Sequence, residues 1–243
     1  MIYCYERMKK VFKIFNTFDI CLWVVSVVSI ILAFSLSSRR DYFTLASSIT
    51  GVSALMFIVK GNVIGQFLVV IFAVFYGIVS YFFKYYGEMI TYLGMSAPAA
   101  ICAIVSWMRH PYKDRSQVAV GTLNAKKIAI VCILSAAITV AFYFILRALG
   151  TANLVISTAS VTTSMLAACL TFLRSPLYGV AYACNDIVLI VMWILATVKD
   201  ISYLPMVICF VLFLIYDVYG FFSWSLMRKR QNTPAEQTDE KAE

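Results

Sequence analysis

The sequence predicts an all-α integral membrane protein with about eight transmembrane helices. Of its 243 residues, 62% are hydrophobic and only 13% are charged, about half the charged fraction of a soluble domain. Apolar runs of about 20 residues, the length that a helix needs to cross a hydrocarbon core, recur along the whole chain. Because each run is continuously apolar rather than alternating, the spans are predicted to be helices and not barrel strands.

Eight apolar runs divide the chain. Six carry no charge, and the last two carry one aspartate each, Asp186 and Asp217. The first run lacks a small-residue cleavage site, so it is predicted to be a retained helix rather than a signal peptide. The predicted spans are 20–38, 42–59, 61–83, 89–108, 128–146, 148–173, 175–198 and 201–227.

The net charge of +8 indicates membrane orientation rather than a nucleic-acid partner. With a cytoplasmic N-terminus, fifteen Lys and Arg residues fall on the inner side and five on the outer side, as the positive-inside rule requires. We therefore expect a multi-pass protein of the cytoplasmic membrane with both termini inside, surrounded by lipid. The five outer residues are Arg39, Arg40, Lys84, Arg147 and Lys199.

A weak internal repeat organises the spans. Lys60 precedes Gly65 by five residues and Arg174 precedes Gly179 by five, while Ser106-Trp107 matches Ser223-Trp224. The pattern predicts a 1+3+1+3 arrangement with two parallel three-helix repeats, which in transporters hold substrate where they meet. The predicted regions are the N-terminus and an extra helix (1–41), a first bundle (42–108), a basic loop and linking helix (109–151), a second bundle (152–227) and a disordered cytoplasmic tail (228–243).

The seventh span carries the most informative polar residues. Asn185 and Asp186 lie at its middle, and Tyr178, Tyr182, Leu189 and Trp193 complete a stripe at helical spacing. A carboxylate in a bilayer is costly and needs a polar interior or partner. Such a stripe suits a small aromatic ligand that carries hydroxyl groups, although the two polar residues could instead hydrogen-bond a neighbouring helix.

Two further polar positions are candidates for the same site. Asp217 shares a stripe with Phe213, Gly220 and Trp224, but it is predicted to lie nearer the cytoplasmic end, where it could instead extend toward the Arg228-Lys229-Arg230 cluster. Gln66 is the corresponding feature of the first bundle. Small residues on its stripe would allow close approach of another helix.

Several classes of function find no support in the sequence. There is no phosphate-binding loop, no zinc-protease motif and no nucleophile elbow. The seven cysteines form no Cys-x-x-Cys pair, and His110 is the only histidine. We therefore expect no metal site, no cofactor and no catalytic residues, and carrier chemistry is favoured over enzyme chemistry.

Three segments resemble the PnuC-type nicotinamide riboside transporters. The likeness covers about residues 42–227, and the N-terminal helix and the tail lie outside it. The segments are Lys60-Gly61-Asn62-Val63-Ile64-Gly65-Gln66 continuing to Tyr76-Gly77 and Tyr85-Tyr86-Gly87-Glu88, then Arg174-Ser175-Pro176 with Tyr182, Asn185-Asp186 and Trp193, and finally Asp217-Val218-Tyr219-Gly220 with Trp224.

The resemblance implies a trimeric carrier with a three-one-three helix core that equilibrates a small vitamin precursor across the membrane. A separate cytosolic kinase would trap that precursor by phosphorylation. In such proteins we expect an asparagine just before Asp217, where this chain has Tyr216. The resemblance implies ligand contacts at Gln66, Tyr76, Asn185, Trp193, Asp217 and Tyr219, to which the stripe analysis adds Tyr182 and Asp186.

Ligand and mechanism remain open at this stage. Relatives of this fold also carry thiamine or riboflavin, and a membrane-embedded enzyme or structural subunit is the alternative from another class. The two aspartates make ion coupling the rival to facilitated diffusion. Facilitated diffusion is predicted, because paired glycine or proline breaks do not occur at corresponding positions of the two repeats.

Overall fold

The computed structural model describes residues 14–37, 41–82, 85–113, 116–151 and 153–233. Within these ranges, eight helices are long and apolar enough to cross a membrane, which confirms the predicted fold class. They are α1 (Thr17–Leu36), α2 (Tyr42–Val59), α3 (Ile64–Phe82), α4 (Tyr86–Arg109), α5 (Ala125–Ala148), α6 (Leu154–Phe172), α7 (Tyr178–Lys199) and α8 (Leu204–Asn232).

Short elements connect some of the helices. A two-stranded antiparallel hairpin follows α4 and consists of β1 (Pro111–Tyr112) and β2 (Gln117–Val118). A 3-10 turn, Ile201–Tyr203, precedes α8. Side chains cap two of the long helices in the usual way: Asp41 accepts from the backbone N–H of Phe43 at the start of α2, and Asn124 accepts from that of Lys127 at the start of α5.

Several helices extend beyond the predicted spans, because a search for charge-free runs excludes charged residues in the terminal turns. Thus α1 includes Asp19 and α4 includes Glu88, both outside the predicted spans. The prediction that the tail is disordered was wrong for residues 228–232, which continue α8. Cationic side chains are favourable at a helix C-terminus, so these basic residues extend the helix. Residues 234–243 of the predicted tail and 1–13 of the N-terminus lie outside the described ranges.

The helices form two groups of three, which we call the first bundle (α2–α4) and the second bundle (α6–α8). Within each group consecutive helices pack together, and the groups meet where α2 packs on α8 and α4 packs on α6. Helix α1 packs against α2 and α8, while α5 packs against α6. This arrangement is compatible with the predicted 1+3+1+3 order and with two parallel repeats.

The turns α2–α3 and α6–α7 have the same backbone design. Gly61 and Arg174 both adopt the left-handed conformation, with φ of 67° and 57°. The following residue then bonds five positions back, from Asn62 N to Phe57 O at 3.0 Å and from Ser175 N to Leu170 O at 3.0 Å. This is the Schellman arrangement that ends many helices. Its occurrence in both turns supports the predicted repeat.

The segment 116–121 joins these two turns. The backbone N–H of Val118 donates to the Gly61 carbonyl at 2.9 Å, and that of Gly121 donates to the Arg174 carbonyl at 2.9 Å. Gln231 of α8 accepts from the N–H of Val120 at 2.8 Å. The two turns, this segment and the end of α8 therefore lie together, and we call this the basic end of the protein.

Helix α4 contains a π-helical turn, Tyr92–Ser96. One extra residue per turn changes the face that the rest of the helix presents, and such turns are frequent at functional sites. Tyr92 and Ser96, at its two ends, both face the cavity described next. No pattern in the sequence marked this turn, because composition alone does not distinguish a π turn from an α turn.

Candidate ligand-binding site

A partly open cavity of about 80 Å³ lies between the two bundles. Six helices line it, and α1 and α5 contribute no lining residue. The lining residues are Gly51, Ala54, Leu55, Ile58, Gln66, Val69, Phe72, Tyr92, Ser96, Ala99, Ala100, Ala103, Ser164, Ala168, Thr171, Tyr178, Tyr182, Asn185, Asp186, Phe213 and Asp217.

Asp186 of α7 and Asp217 of α8 meet in this cavity. Both side chains are buried, and their carboxyl groups lie close to each other. Asp217 is therefore part of the central polar group. The structure does not show the alternative in which Asp217 extends toward the basic cluster of α8, because the antiparallel helices α7 and α8 bring the two aspartates together in the cavity.

Asn185 lies beside this pair and is fixed by the neighbouring helix. Its side-chain oxygen accepts from Thr163 Oγ1 at 2.9 Å and from Ser164 Oγ at 2.9 Å, both on α6. The interpretation in which Asn185 holds a neighbouring helix is thus correct for the amide oxygen. Since Asn185 also lines the cavity, its NH2 group remains as a donor toward a ligand.

Gln66 of α3 and Tyr182 of α7 also line the cavity. Gln66 is buried and belongs to the first bundle, so polar groups enter the cavity from both bundles. Tyr182 lies near Thr171 of α6, which also lines the cavity. Five of the predicted residues therefore lie together around one cavity: Gln66, Tyr182, Asn185, Asp186 and Asp217.

Two predicted site residues, Tyr76 and Trp193, belong to an aromatic cluster next to the cavity, away from the basic end. The indole N–H of Trp193 donates to the Tyr76 hydroxyl at 3.0 Å. Tyr92, which lines the cavity, has its ring 4.2 Å from that of Tyr76. Tyr85 and Tyr203 lie 5.1 Å and 5.8 Å from the Trp193 ring, centroid to centroid. We call these five residues the aromatic layer.

Tyr219, the remaining predicted residue, does not line the cavity. Its hydroxyl donates to Asp19 of α1 at 2.7 Å and accepts from Lys60 Nζ at 3.2 Å. Lys60 and Asp19 form a buried ion pair at 2.7 Å. We call these three residues the α1 anchor, because they hold the extra helix against α2 and α8. The sequence interpretation missed it, since Asp19 fell just outside the predicted first span.

Two more positions differ from expectation. Tyr216, which stands where an asparagine was expected, is buried but does not line the cavity, so this departure leaves the lining unchanged. Glu88 belongs to a segment that resembles the PnuC-type transporters, but it was not predicted to be a site residue. It lies in the first turn of α4 and is 1% exposed. The signal that could have identified it is its position one helical turn before Tyr92 on the same face.

The charges around the cavity are one-sided. Its lining includes two carboxyl groups and no Lys, Arg or His among the residues described. In the same ranges, no group of three His, Cys, Asp or Glu residues could hold a metal ion. The site can therefore offer hydrogen-bond donors and acceptors, aromatic faces and negative charge.

Comparisons with known proteins agree with this fold. A family model described as nicotinamide mononucleotide transporter matches residues 41–226. A Neisseria mucosa protein named nicotinamide riboside transporter PnuC is 24% identical over 216 residues, which are 87% of this chain and 82% of that protein. A crystal structure of the vitamin B3 transporter PnuC shares the fold, with a TM-score of 0.78, 23% identity and coverage of 90% of this chain and 94% of the other.

The family model begins one residue before α2 and ends within α8, so it covers both bundles and the linking helix. This is nearly the region in which the sequence resembles PnuC-type proteins. The extra helix α1 lies outside it, as expected. The chain therefore belongs to the nicotinamide mononucleotide transporter family, and its resemblance to the PnuC-type transporters is confirmed.

Proposed function

We propose that this protein carries nicotinamide riboside across the cytoplasmic membrane. The observation that carries the proposal is a cavity between two three-helix bundles in which polar groups from both bundles adjoin a layer of aromatic rings. Ribose hydroxyls suit Asn185, Gln66 and the Asp186–Asp217 pair. The planar pyridinium ring suits the faces of Tyr76, Tyr92 and Trp193, since cations bind to aromatic faces. Tyr182 completes the polar side.

The charge of the lining favours the riboside over the mononucleotide after which the family is named. The mononucleotide carries a phosphate, which proteins bind with Arg, Lys or helix N-termini. The cavity presents two carboxyl groups and, among described residues, no basic lining side chain. A phosphate ester would therefore be repelled, whereas a cationic nucleoside would be attracted.

Transport is proposed to be facilitated diffusion, with net uptake driven by a separate kinase that phosphorylates the ligand inside the cell. Sodium carriers typically hold the ion between several oxygens beside an unwound part of a helix. In this protein Asp186 and Asp217 instead lie against each other. The surplus of basic residues at the basic end supports a cytoplasmic location for both termini. A homotrimer and a purely non-enzymatic role are parts of the same proposal.

Uptake into proteoliposomes tests this proposal. Purified protein should equilibrate labelled nicotinamide riboside without any imposed gradient, and excess unlabelled riboside should compete while the mononucleotide should not. Protein-free liposomes and liposomes with the Asp217→Asn variant are the controls. Uptake equal to that of protein-free liposomes would refute the carrier, and accumulation above the external concentration under a pH or sodium gradient would refute facilitated diffusion.

Thiamine is the alternative ligand, because it also combines aromatic rings, a cationic ring and a hydroxyl group. It has one hydroxyl and therefore makes less use of Gln66, Asn185 and the aspartate pair. Competition decides between them: if excess thiamine blocks uptake and excess riboside does not, the preferred ligand is thiamine. Thermal stabilisation by unmodified ligand, with no product formed, separates a carrier from the alternative of a membrane-embedded enzyme.

A further inference from the structure

Glu88 is a buried carboxyl group that the cavity and its polar residues leave unexplained. It lies in the first turn of α4 and is 1% exposed. Among the described residues, neither of its two side-chain oxygens has a hydrogen-bond partner. A buried carboxylate without a partner is unfavourable, so an occupant that supplies the missing partner would be bound strongly.

The surroundings of Glu88 are aromatic. Glu88 lies one helical turn before Tyr92 on α4, and the Tyr92 ring contacts that of Tyr76; both tyrosines belong to the aromatic layer. Tyr92 lines the cavity, and Tyr76 accepts the hydrogen bond from Trp193. Glu88 therefore lies one helical turn from a residue of the cavity lining, on the side away from the basic end.

Structural carboxylates elsewhere in this protein look different. Asp41 accepts from Phe43 N and from Thr44 Oγ1 at the start of α2. Asp19 is paired with Lys60 and bonded to Tyr219. Each has donors from the protein itself, and Lys60, the buried lysine in the described ranges, is already paired with Asp19 at the basic end. Among the described residues, Glu88 has neither a hydrogen-bond donor nor a cationic side chain as a partner, which argues against a purely structural role.

We propose that Glu88 and the aromatic layer form a subsite that recognises the positive charge of a planar aromatic ring. The inference rests on the proposed function and deepens it, because it divides the ligand between two parts of the site. The cationic ring lies among Tyr76, Tyr92 and Trp193 with Glu88 as its counter-ion, and the hydroxyl groups lie against Asn185 and the aspartate pair. Negative charge and electron-rich ring faces together favour an organic cation over a neutral ring of the same shape.

The test compares two ligands that differ in ring charge. Nicotinamide riboside carries a pyridinium ring, whereas its 1,4-dihydro form has the same ribose and carboxamide but an uncharged ring. Initial uptake of both is measured in proteoliposomes containing wild-type protein, Glu88→Gln or Glu88→Asp. The Gln variant keeps size and shape and removes the charge, and the Asp variant keeps the charge.

Wild-type protein should prefer the charged form, and Glu88→Gln should reduce that preference about tenfold or more, the effect of a charge-assisted contact. Glu88→Asp should restore part of the preference. Because the carboxylate has no protein partner, Glu88→Gln should unfold at the same temperature as wild type or higher. A structural role would instead lower the unfolding temperature and reduce uptake of both forms equally, which would overturn the proposal.

Other outcomes separate this inference from the proposed function. If wild type carries the riboside but Glu88→Gln keeps the full charge preference, the inference fails and the carrier stands. If Asp217→Asn alone abolishes the preference, the counter-ion is the aspartate pair and the inference is wrong. If a pH gradient drives accumulation in wild type but not in Glu88→Gln, Glu88 carries protons and the inference is again wrong. If wild type carries thiamine instead and Glu88→Gln loses that uptake, the inference stands and the riboside does not.

Discussion

Trp107 of α4 and Trp224 of α8 lie with their rings 5.3 Å apart, and each bonds to the opposite bundle. The Trp107 indole donates to the Thr171 carbonyl of α6 at 3.0 Å, and the Trp224 indole donates to the Ile58 carbonyl of α2 at 2.8 Å. The serine before each tryptophan does the same. Ser106 donates to Phe172 O at 2.7 Å and Ser223 donates to Val59 O at 2.9 Å. The bundles thus exchange equivalent hydrogen bonds at the basic end.

Replacing either tryptophan by phenylalanine should destabilise the protein, because a helix-terminal carbonyl then loses its donor between the bundles. We expect a loss of about 1–2 kcal/mol in the free energy of unfolding for each single variant. The two losses should not add in the double variant, since the rings are in contact. Thermal unfolding in detergent measures both.

The matched control is Trp23→Phe on α1, whose indole donates to Ser53 Oγ at 3.1 Å. It also removes an indole hydrogen bond, but not one between the bundles. The rate of uptake should therefore fall in Trp107→Phe and in Trp224→Phe, and it should stay at the wild-type value in Trp23→Phe. Equal uptake in all three variants would show that the reciprocal bonds have no part in transport.

Asp186 and Asp217 are predicted to act as one unit. Asn at either position keeps a donor and an acceptor, so Asp186→Asn and Asp217→Asn should each keep the fold while lowering riboside affinity about tenfold. The double variant should be little worse than either single variant, because both remove the same carboxyl pair. Ligand titration by calorimetry checks this, and Asp41→Asn at the start of α2 is the control that should bind normally. Strictly additive losses would mean that the two residues act independently.

The α1 anchor should contribute to stability and not to affinity. Lys60→Met leaves Asp19 buried without its partner and should lower the free energy of unfolding by about 3–5 kcal/mol. Asp19→Leu combined with Lys60→Met should recover much of that loss.

Tyr219→Phe should lower stability modestly and leave the KM for riboside unchanged, since Tyr219 lies outside the cavity. Tyr182→Phe should instead raise the KM for riboside and leave stability nearly unchanged. A raised KM in Tyr219→Phe would return Tyr219 to the ligand site.

Gly179 allows α7 to approach the backbone of α8 closely beside Asp217. A Cβ atom there would lie 2.5 Å from the Asp217 carbonyl oxygen and 2.8 Å from Phe221 N, both backbone atoms that cannot rotate away. Gly179→Ala should therefore separate the helices, cost about 1–3 kcal/mol and reduce uptake. Gly94→Ala, whose Cβ would meet no atom closer than 3.9 Å, should leave stability and uptake unchanged.

Sequence reasoning predicted the spans and most of the cavity for one physical reason. In a bilayer, polar residues are costly unless they face the interior, so Asn185, Asp186, Asp217 and Gln66 stood out against an apolar background. The same reasoning failed at helix ends. Charged residues are common there, so Glu88 passed for a loop residue although tertiary packing buries it.

Contacts between residues that are far apart in the chain could not be predicted from the sequence either. The meeting of Asp186 with Asp217 depends on the relative depth of α7 and α8, which no pattern within either helix reveals. The α1 anchor joins residues 200 positions apart, Asp19 and Tyr219. Periodicity within one helix carries no information about either.

The segment 116–121 closes the basic end largely through its main chain. Val118 and Gly121 reach the two turns with backbone N–H groups, which almost any amino acid supplies and proline does not. In a saturation scan of positions 116–121, proline should therefore lower stability at Val118 and Gly121, whose N–H groups are the donors. Other substitutions should have little effect at positions whose side chains are not packed and whose backbone does not require glycine. Variability here would say little about importance, since the bonds from Val118 and Gly121 to the two turns are made by the main chain and not by side chains.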